Sequence, residues 1–248
     1  MKIRMMILGL FVITVLCSVV MAAPYGPTSI ENVTTYKTNT SVGTPQALGA
    51  HGGNNTQLEI NISQATGNWQ GYFGNISGKV VLGDVNGNTM YDWTAGSSFS
   101  PIGEIYAANA TIVDWGDVIC LNLTGNGSID GSNPPGINNS ILESMYGMLA
   151  ADTDGIDETF NSINNITIAG TLIDNCWATN TYDSNGVQTT KFNETLLTEK
   201  TQGTVIYATQ VDQDTVGYDG NRWDFQMIVA DDGSDGVATA YYFYVELA

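Results

Sequence analysis

Of 248 residues 43% are hydrophobic and only 13% charged, and 25 acidic side chains stand against seven Lys and Arg, for a net charge of −18. A surface of that sign repels nucleic acid and anionic lipid, which excludes functions that rest on either. The imbalance comes from scarce Lys and Arg, so solubility leans on Asn, Thr and Ser; a salt-adapted surface would carry more carboxylates.

The first predicted element is a secretory signal over residues 1–22. Lys2 and Arg4 precede an apolar run from Met5 to Val20 that is too short for a membrane span, and Val20 and Ala22 sit where a signal peptidase reads. Leu16 before Cys17 does not suit a lipoprotein signal, and Lys2-Ile3-Arg4 offers no prepilin-type processing site. Cleavage leaves a mature chain beginning near Ala23, extracellular or on the cell surface, with no membrane span of its own. Five basic residues then face 25 acidic ones, a net charge of −20.

Residues 23–56 form a leader of Thr, Asn, Gly, Pro and Ser with isolated Ile30, Val33 and Tyr36. So little apolar area does not offset the entropy of ordering. One reading is a flexible tether; the other is an extended arm in which Ile30–Tyr36 pairs with the edge of a neighbouring subunit.

Residues 57–248 read as one domain, and their apolar residues recur mostly with period two. Leu58, Ile60 and Ile62 alternate with polar residues. Asn75 to Gly83 predicts a strand around Val80-Val81-Leu82, turning through Asp84-Val-Asn-Gly-Asn88 into Thr89–Trp93 as a hairpin. Ile112 to Leu123 suits a strand or a helix. One helix is predicted in 138–150, with Ile141, Leu142, Met145, Met148 and Leu149 on a stripe behind a polar cap. Further strands are predicted over Gly103–Ala107, Ile166–Ile173, Thr204–Thr209, Trp223–Val229 and Val237–Leu247. In the last, Tyr241, Phe243, Val245 and Leu247 share one face, and Tyr242, Tyr244 and Glu246 the other. The predicted fold is all-β, an antiparallel β-sandwich with one short helical insert.

Eleven Asn-x-Ser/Thr sequons lie along the chain, at Asn32, Asn39, Asn54, Asn61, Asn75, Asn109, Asn122, Asn126, Asn138, Asn165 and Asn193. Random placement would give about four, so the excess marks a surface built to carry glycans. Cys17 leaves with the signal, and outside the cell Cys120 and Cys176 most simply form one disulfide, two free thiols being the alternative. Closing that loop stabilises the fold by about 4 kcal/mol in the chain-entropy model.

The blocks Trp69-Gln-Gly-Tyr-Phe-Gly-Asn-Ile-Ser-Gly78, Met90-Tyr-Asp-Trp93, Gly103-Glu-Ile-Tyr-Ala107, Val205-Ile-Tyr-Ala208, Trp223-Asp-Phe-Gln-Met-Ile-Val229 and Tyr241-Tyr-Phe-Tyr-Val-Glu-Leu247 resemble an uncharacterised family of secreted archaeal cell-surface proteins. The resemblance covers nearly all of the chain past Gln57, both cysteines included. It implies an archaeal exterior with sequon glycosylation and surface-layer surroundings, and it brings no activity and no catalytic residues.

Catalytic residues are not found by pattern. His51, the single histidine, lies in the leader, which removes Ser-His-Asp, Cys-His and His-rich metal chemistry. No Gly-rich phosphate loop is present. Glu104 and Asp92 lie near aromatics, but a pair for glycoside hydrolysis needs a fixed separation that sequence does not give. Asp152, Asp154 and Asp157, in Asp152-Thr-Asp-Gly-Ile-Asp-Glu158, place oxygen donors around a Gly as a structural Ca²⁺ loop would, though without full EF-hand spacing. Asp84–Asn88, Asp212–Asp214 and Asp231–Asp235 are weaker versions, and for each a solvated turn is the plainer reading. Trp69, Tyr72, Phe73, Tyr91 and Trp93 would suit sugar stacking, but alternating aromatics in strands are more often core.

The expected function is therefore that of a secreted, N-glycosylated cell-surface protein with a structural or interaction role, with an extracellular layer or filament as a possible assembly. Its expected partners are other envelope proteins, itself, or glycans. A carbohydrate-binding or adhesion module is the alternative, and a glycoside hydrolase a distant third.

Overall fold

The computed structural model describes residues 23–32, 34–36, 47–60, 64–79, 81–92, 103–124, 137–232 and 238–247. The predicted signal peptide, Val80, Trp93 and Ile62 lie outside them. In chain order the elements are β1 (Trp69–Gly74), β2 (Val81–Gly83), β3 (Thr89–Asp92), β4 (Gly103–Ala108), a 3₁₀ turn at Trp115–Asp117, β5 (Val118–Cys120), α1 (Asn139–Met145) and α2 (Ile156–Thr159). Then follow β6 (Ser162–Ile168), β7 (Thr171–Tyr182), β8 (Gln188–Glu199), β9 (Val205–Gln210), β10 (Thr215–Val216), β11 (Arg222–Trp223), β12 (Phe225–Ala230) and β13 (Tyr242–Leu247).

The main sheet runs β13-β4-β9-β8-β7-β6, with β5 also paired to β8, and all its pairings are antiparallel. The fold is all-β and sandwich-like, because each face of this sheet buries its own apolar set. On one face Ile105, Ala107, Leu196, Val205 and Tyr207 pack against α1, α2 and the β1–β12 ribbon through Leu142, Tyr146, Phe160, Met227 and Val229. On the other, Tyr106, Ala108, Leu197, Ile206 and Ala208 meet Ile166, Ile168 and Cys176 of the β6–β7 hairpin. Burial on both faces explains why β9 reads as a nearly continuous apolar run, and each large apolar side chain so buried contributes roughly 1.5–3 kcal/mol. The sheet curls until its ends meet: Ala169 N–H, at the β6–β7 turn, donates to the Glu246 carboxylate on β13 at 2.9 Å.

The predicted hairpin forms as β2 and β3, closed by Asp84. β13 has the two faces expected, Phe243 and Val245 packing on the first core and Tyr244 on the second. Cys120 and Cys176 form the disulfide, with Cα atoms 4.8 Å apart, joining β5 to β7 where both flank β8.

Several expectations are corrected. Residues 57–60 form no strand, and Leu58 and Ile60 are exposed, because no strand among the described residues takes their backbone groups. Ile166–Ile173 is a hairpin, turning at Ala169 and Gly170, both with positive φ. Ile112–Leu123, open between strand and helix, holds the 3₁₀ turn and the strand β5. The predicted helix stops at Met145, since Gly147 takes φ +69 and a Cβ there would lie 3.0 Å from Asp232 O. Leu142 and Met148 are buried while Ile141, Met145 and Leu149 are exposed, and a second short helix, α2, follows.

Candidate functional site

The sequon asparagines fall into distinct environments. Asn39, Asn61 and Asn126 lie outside the described residues. Asn32 and Asn54 in the leader, Asn75 after β1 and Asn165 on β6 are exposed. Asn109, Asn122, Asn138 and Asn193 are half-buried. The first three of these use the side-chain oxygen: Asn109 Oδ1 accepts from Val205 N–H at 3.0 Å, Asn122 Oδ1 from Thr124 N–H at 3.0 Å, and Asn138 Oδ1 caps α1 by accepting from Ile141 N–H at 2.9 Å. Sugar is carried on Nδ2, so these bonds do not occupy the acceptor atom. Asn193 differs. Its Nδ2 donates to Asn180 Oδ1 at 2.8 Å across the β7–β8 pair, and the Thr195 of its sequon is 1% exposed.

Asp152, Asp154 and Asp157 do not converge. Asp152 Oδ2 accepts from Leu149 N–H at 2.8 Å, closing a turn. The Asp154 carboxylate takes the Thr66 hydroxyl and the Asn68 amide, while Trp69 Nε1 donates to Asp154 O at 2.7 Å. Asp154 thereby fastens the loop to the start of β1. Asp157 instead meets Glu143 of α1 and Glu158 of α2, with carboxylate oxygens all within 4.8 Å of one another. Glu143 is 2% exposed and accepts from Asn139 Nδ2 at 3.0 Å. Burial raises the Glu143 pKa, and the hydrogen bond shared with Asp157 raises that of Glu158. Burial acts upward on Asp157 too, but hydrogen bonds with Glu158 and Asn139 hold it below its ordinary value. Three carboxylates at this spacing share protons or hold a hard cation. The cluster keeps Asp157, one of the three predicted ligands, takes Glu158 from the same loop, and adds Glu143, which periodicity assigned no role.

The weaker Asp-rich turns satisfy themselves. Asp84 Oδ1 accepts from Asn86 and Asn88 N–H, each at 2.9 Å, and Asp183 repeats the device with Asn185 and Val187. Asp212 pairs with Lys191 at 3.1 Å. Asp231 Oδ1 accepts from Thr239 N–H at 3.2 Å, and residues 233–237 of its loop lie outside the described residues.

The aromatic cluster packs against other rings. Trp69 lies 6.1 Å from Phe160, Tyr72 is edge-on to Phe243 at 5.1 Å, and Phe73 sits 5.0 Å from both Tyr218 and Trp223. Tyr91 is exposed.

A carboxylate pair went unrecognised in the sequence. Glu104 on β4 stands directly opposite Glu246 on β13. Glu246 is buried, and Tyr106 Oη–H and Ala169 N–H donate to it at 3.0 and 2.9 Å. Burial, then the charge of Glu246, pushes Glu104 up to about 7. Glu104 opens on a polar cavity of about 160 Å³ with Asn164, Thr167, Asn193, Thr195 and Gln210. The available signal was Glu246 itself, a charged residue on the aromatic face of an otherwise apolar strand. Glu194 on β8 is likewise fully buried, accepts from Ile228 N–H at 2.8 Å, and is raised well above the carboxylate range by burial. Asp92, the other carboxylate considered, is on β3 in the exposed hairpin, and His51 is exposed in the leader.

No protein-family model matches the chain, and no curated protein or solved structure shows significant similarity to it. No helix among the described residues is long and apolar enough to cross a membrane.

Proposed function

We propose that the chain is a secreted, N-glycosylated protein of an archaeal cell surface, with a structural role exercised through contact with itself or neighbouring envelope proteins in a layer or filament. The observation that carries this reading is the outward display of Asn32, Asn54, Asn75 and Asn165, spread from the leader to β6. Glycans at those positions would shield the leader and the domain and suit the protein to contact and protection.

A carbohydrate-binding role would need rings open to a sugar face, whereas Trp69, Tyr72 and Phe73 are each engaged by other rings. The proposed mature protein begins near Ala23, and calcium at Glu143, Asp157 and Glu158 is a proposed structural addition.

Fractionation of native cells tests the proposal. The protein is expected in the envelope or extracellular polymer with a mass raised by glycan. Recovery as an unglycosylated protein inside the cell would overturn it.

A further inference from the structure

β13 is the edge strand of the main sheet. Val245 points its backbone groups outward and exchanges both hydrogen bonds with Tyr25 of the leader, at 3.0 and 2.8 Å. In an antiparallel ladder outward-pointing residues alternate, so Phe243 presents its N–H and C=O on the same side. Among the described residues Phe243 has no backbone partner there.

The reason lies in the leader's sequence. Continuing the Tyr25–Val245 register would put Pro27 opposite Phe243, at the next hydrogen-bonded position. Proline has no N–H to give the ladder, so the chain's own leader stops at a single bridge. Beyond it lies a groove of about 500 Å³, lined by Pro27, Ile30, Thr111, Tyr242, Phe243 and Tyr244.

Two further observations identify the occupant. Residues 24–56 carry only Glu31, Lys37 and His51, so the leader is neutral, whereas 24 acidic residues stand against four basic ones in the rest of the mature chain. A second copy therefore meets the least like-charge repulsion when its leader is the part that approaches. The leader segment Ile30–Tyr36 is free of proline and rich in β-formers, and Ile30 and Tyr36 are 64% and 72% exposed. Tyr25 holds the leader on its own β13, and the 11 residues from that bridge to Tyr36 span up to about 37 Å, so the segment meets a second copy seated directly beside this edge.

We propose that the outer edge of β13 accepts the Ile30–Tyr36 segment of a second copy of this chain as an added antiparallel strand. The inference rests on the structural role proposed above and names its contact. Each copy offers one leader and one edge, a head-to-tail arrangement that propagates into a filament unless it closes into a ring.

The test uses the purified secreted chain over a concentration series, reading size by sedimentation and the Phe243 amide by hydrogen exchange. Concentration-dependent assembly is expected, with exchange at Phe243 slowed at least tenfold in the assembled form. The double variant Ile30→Pro/Thr35→Pro removes an N–H of either ladder parity at exposed positions and keeps every sequon. It is expected to stay monomeric, with fast exchange at Phe243 and an unchanged melting temperature. Assembly of the double variant like the parent, a monomeric parent at all concentrations, or protection of Phe243 in the monomer would each overturn the proposal. A glycosylated protein that is envelope-bound while Phe243 exchanges fast would sink this contact and leave the surface role standing.

Discussion

Replacing Glu104 with Gln should remove much of this protein's loss of stability between pH 5 and 8. Glu104 and Glu246 face each other across β4 and β13, and the donors from Tyr106 and Ala169 both go to Glu246. Glu104 is thus the partner that takes the proton, its pKa rising from 4.5 to about 7 through burial first and the Glu246 charge second. A carboxyl raised in the folded state contributes fully below its unfolded value, and the contribution is lost as pH rises through the folded value. At about 1.4 kcal/mol per unit, integration between pH 5 and 8 gives a loss of about 2.5 kcal/mol from this residue. Glu194, raised in the same direction by burial, adds to the decline and is untouched by the substitution. Urea unfolding should show parent stability falling between pH 5 and 8, and Glu104→Gln recovering about 2 kcal/mol at pH 8 with little change at pH 5. An unchanged pH slope in the variant would refute the reasoning.

The remaining predictions concern the other fixed points of the fold. Cys120→Ala/Cys176→Ala should lower stability by about 4 kcal/mol in urea unfolding, because the unfolded chain regains its loop entropy. Asp224→Ala should cost about 2–4 kcal/mol by the same assay, since this buried carboxylate accepts from Ile76 N–H at 2.8 Å and Asp214 N–H at 3.0 Å, which would lose their partner. Calcium bound at Glu143, Asp157 and Glu158 should raise the thermal midpoint relative to chelator, by the equivalent of about 2.7 kcal/mol at a hundredfold excess over Kd; equal midpoints would remove the metal from the account. Asn193 should remain unmodified in native protein, because its Nδ2 is held by Asn180, and a glycopeptide carrying sugar there would contradict that placement.

The strands that read clearly in the sequence are those with one dominant rule. Thr204–Thr209 was legible as β9 because both of its faces are buried, and β13 because its aromatics alternate between two cores. The β2–β3 hairpin was announced by Asp84-Val-Asn-Gly-Asn88, where the Asp side chain builds the turn. The two longest strands, β7 and β8, gave no such signal. Thr179, Glu194, Thr195 and Thr198 are buried in them, and polar residues at core positions erase the period on which strand reading depends. Glu194 survives there by accepting from Ile228 N–H, a partner 34 residues away. Leu58 and Ile60 show the converse: alternation existed, but no sheet edge among the described residues pairs with them.

The acidic loop was half legible for a similar reason. Asp152-Thr-Asp-Gly-Ile-Asp-Glu158 displays the right atoms, yet Asp154 turns to Thr66 and Asn68, nearly ninety residues back along the chain. The third carboxylate near Asp157 and Glu158 comes from Glu143 on α1, placed there by the packing of α1 on α2. Glu104 and Glu246 were likewise separated by most of the domain until β13 returned to pair with β4. Sequence spacing carries local turns well and carries contacts made by sheet closure hardly at all.

Glycopeptide mapping of the protein taken from the native cell envelope tests the central claim most directly. The expected result is a mature chain beginning near Ala23, with sugar on the exposed Asn54, Asn75 and Asn165 and none on Asn193. An intact signal segment with bare asparagines at all of these positions would contradict it.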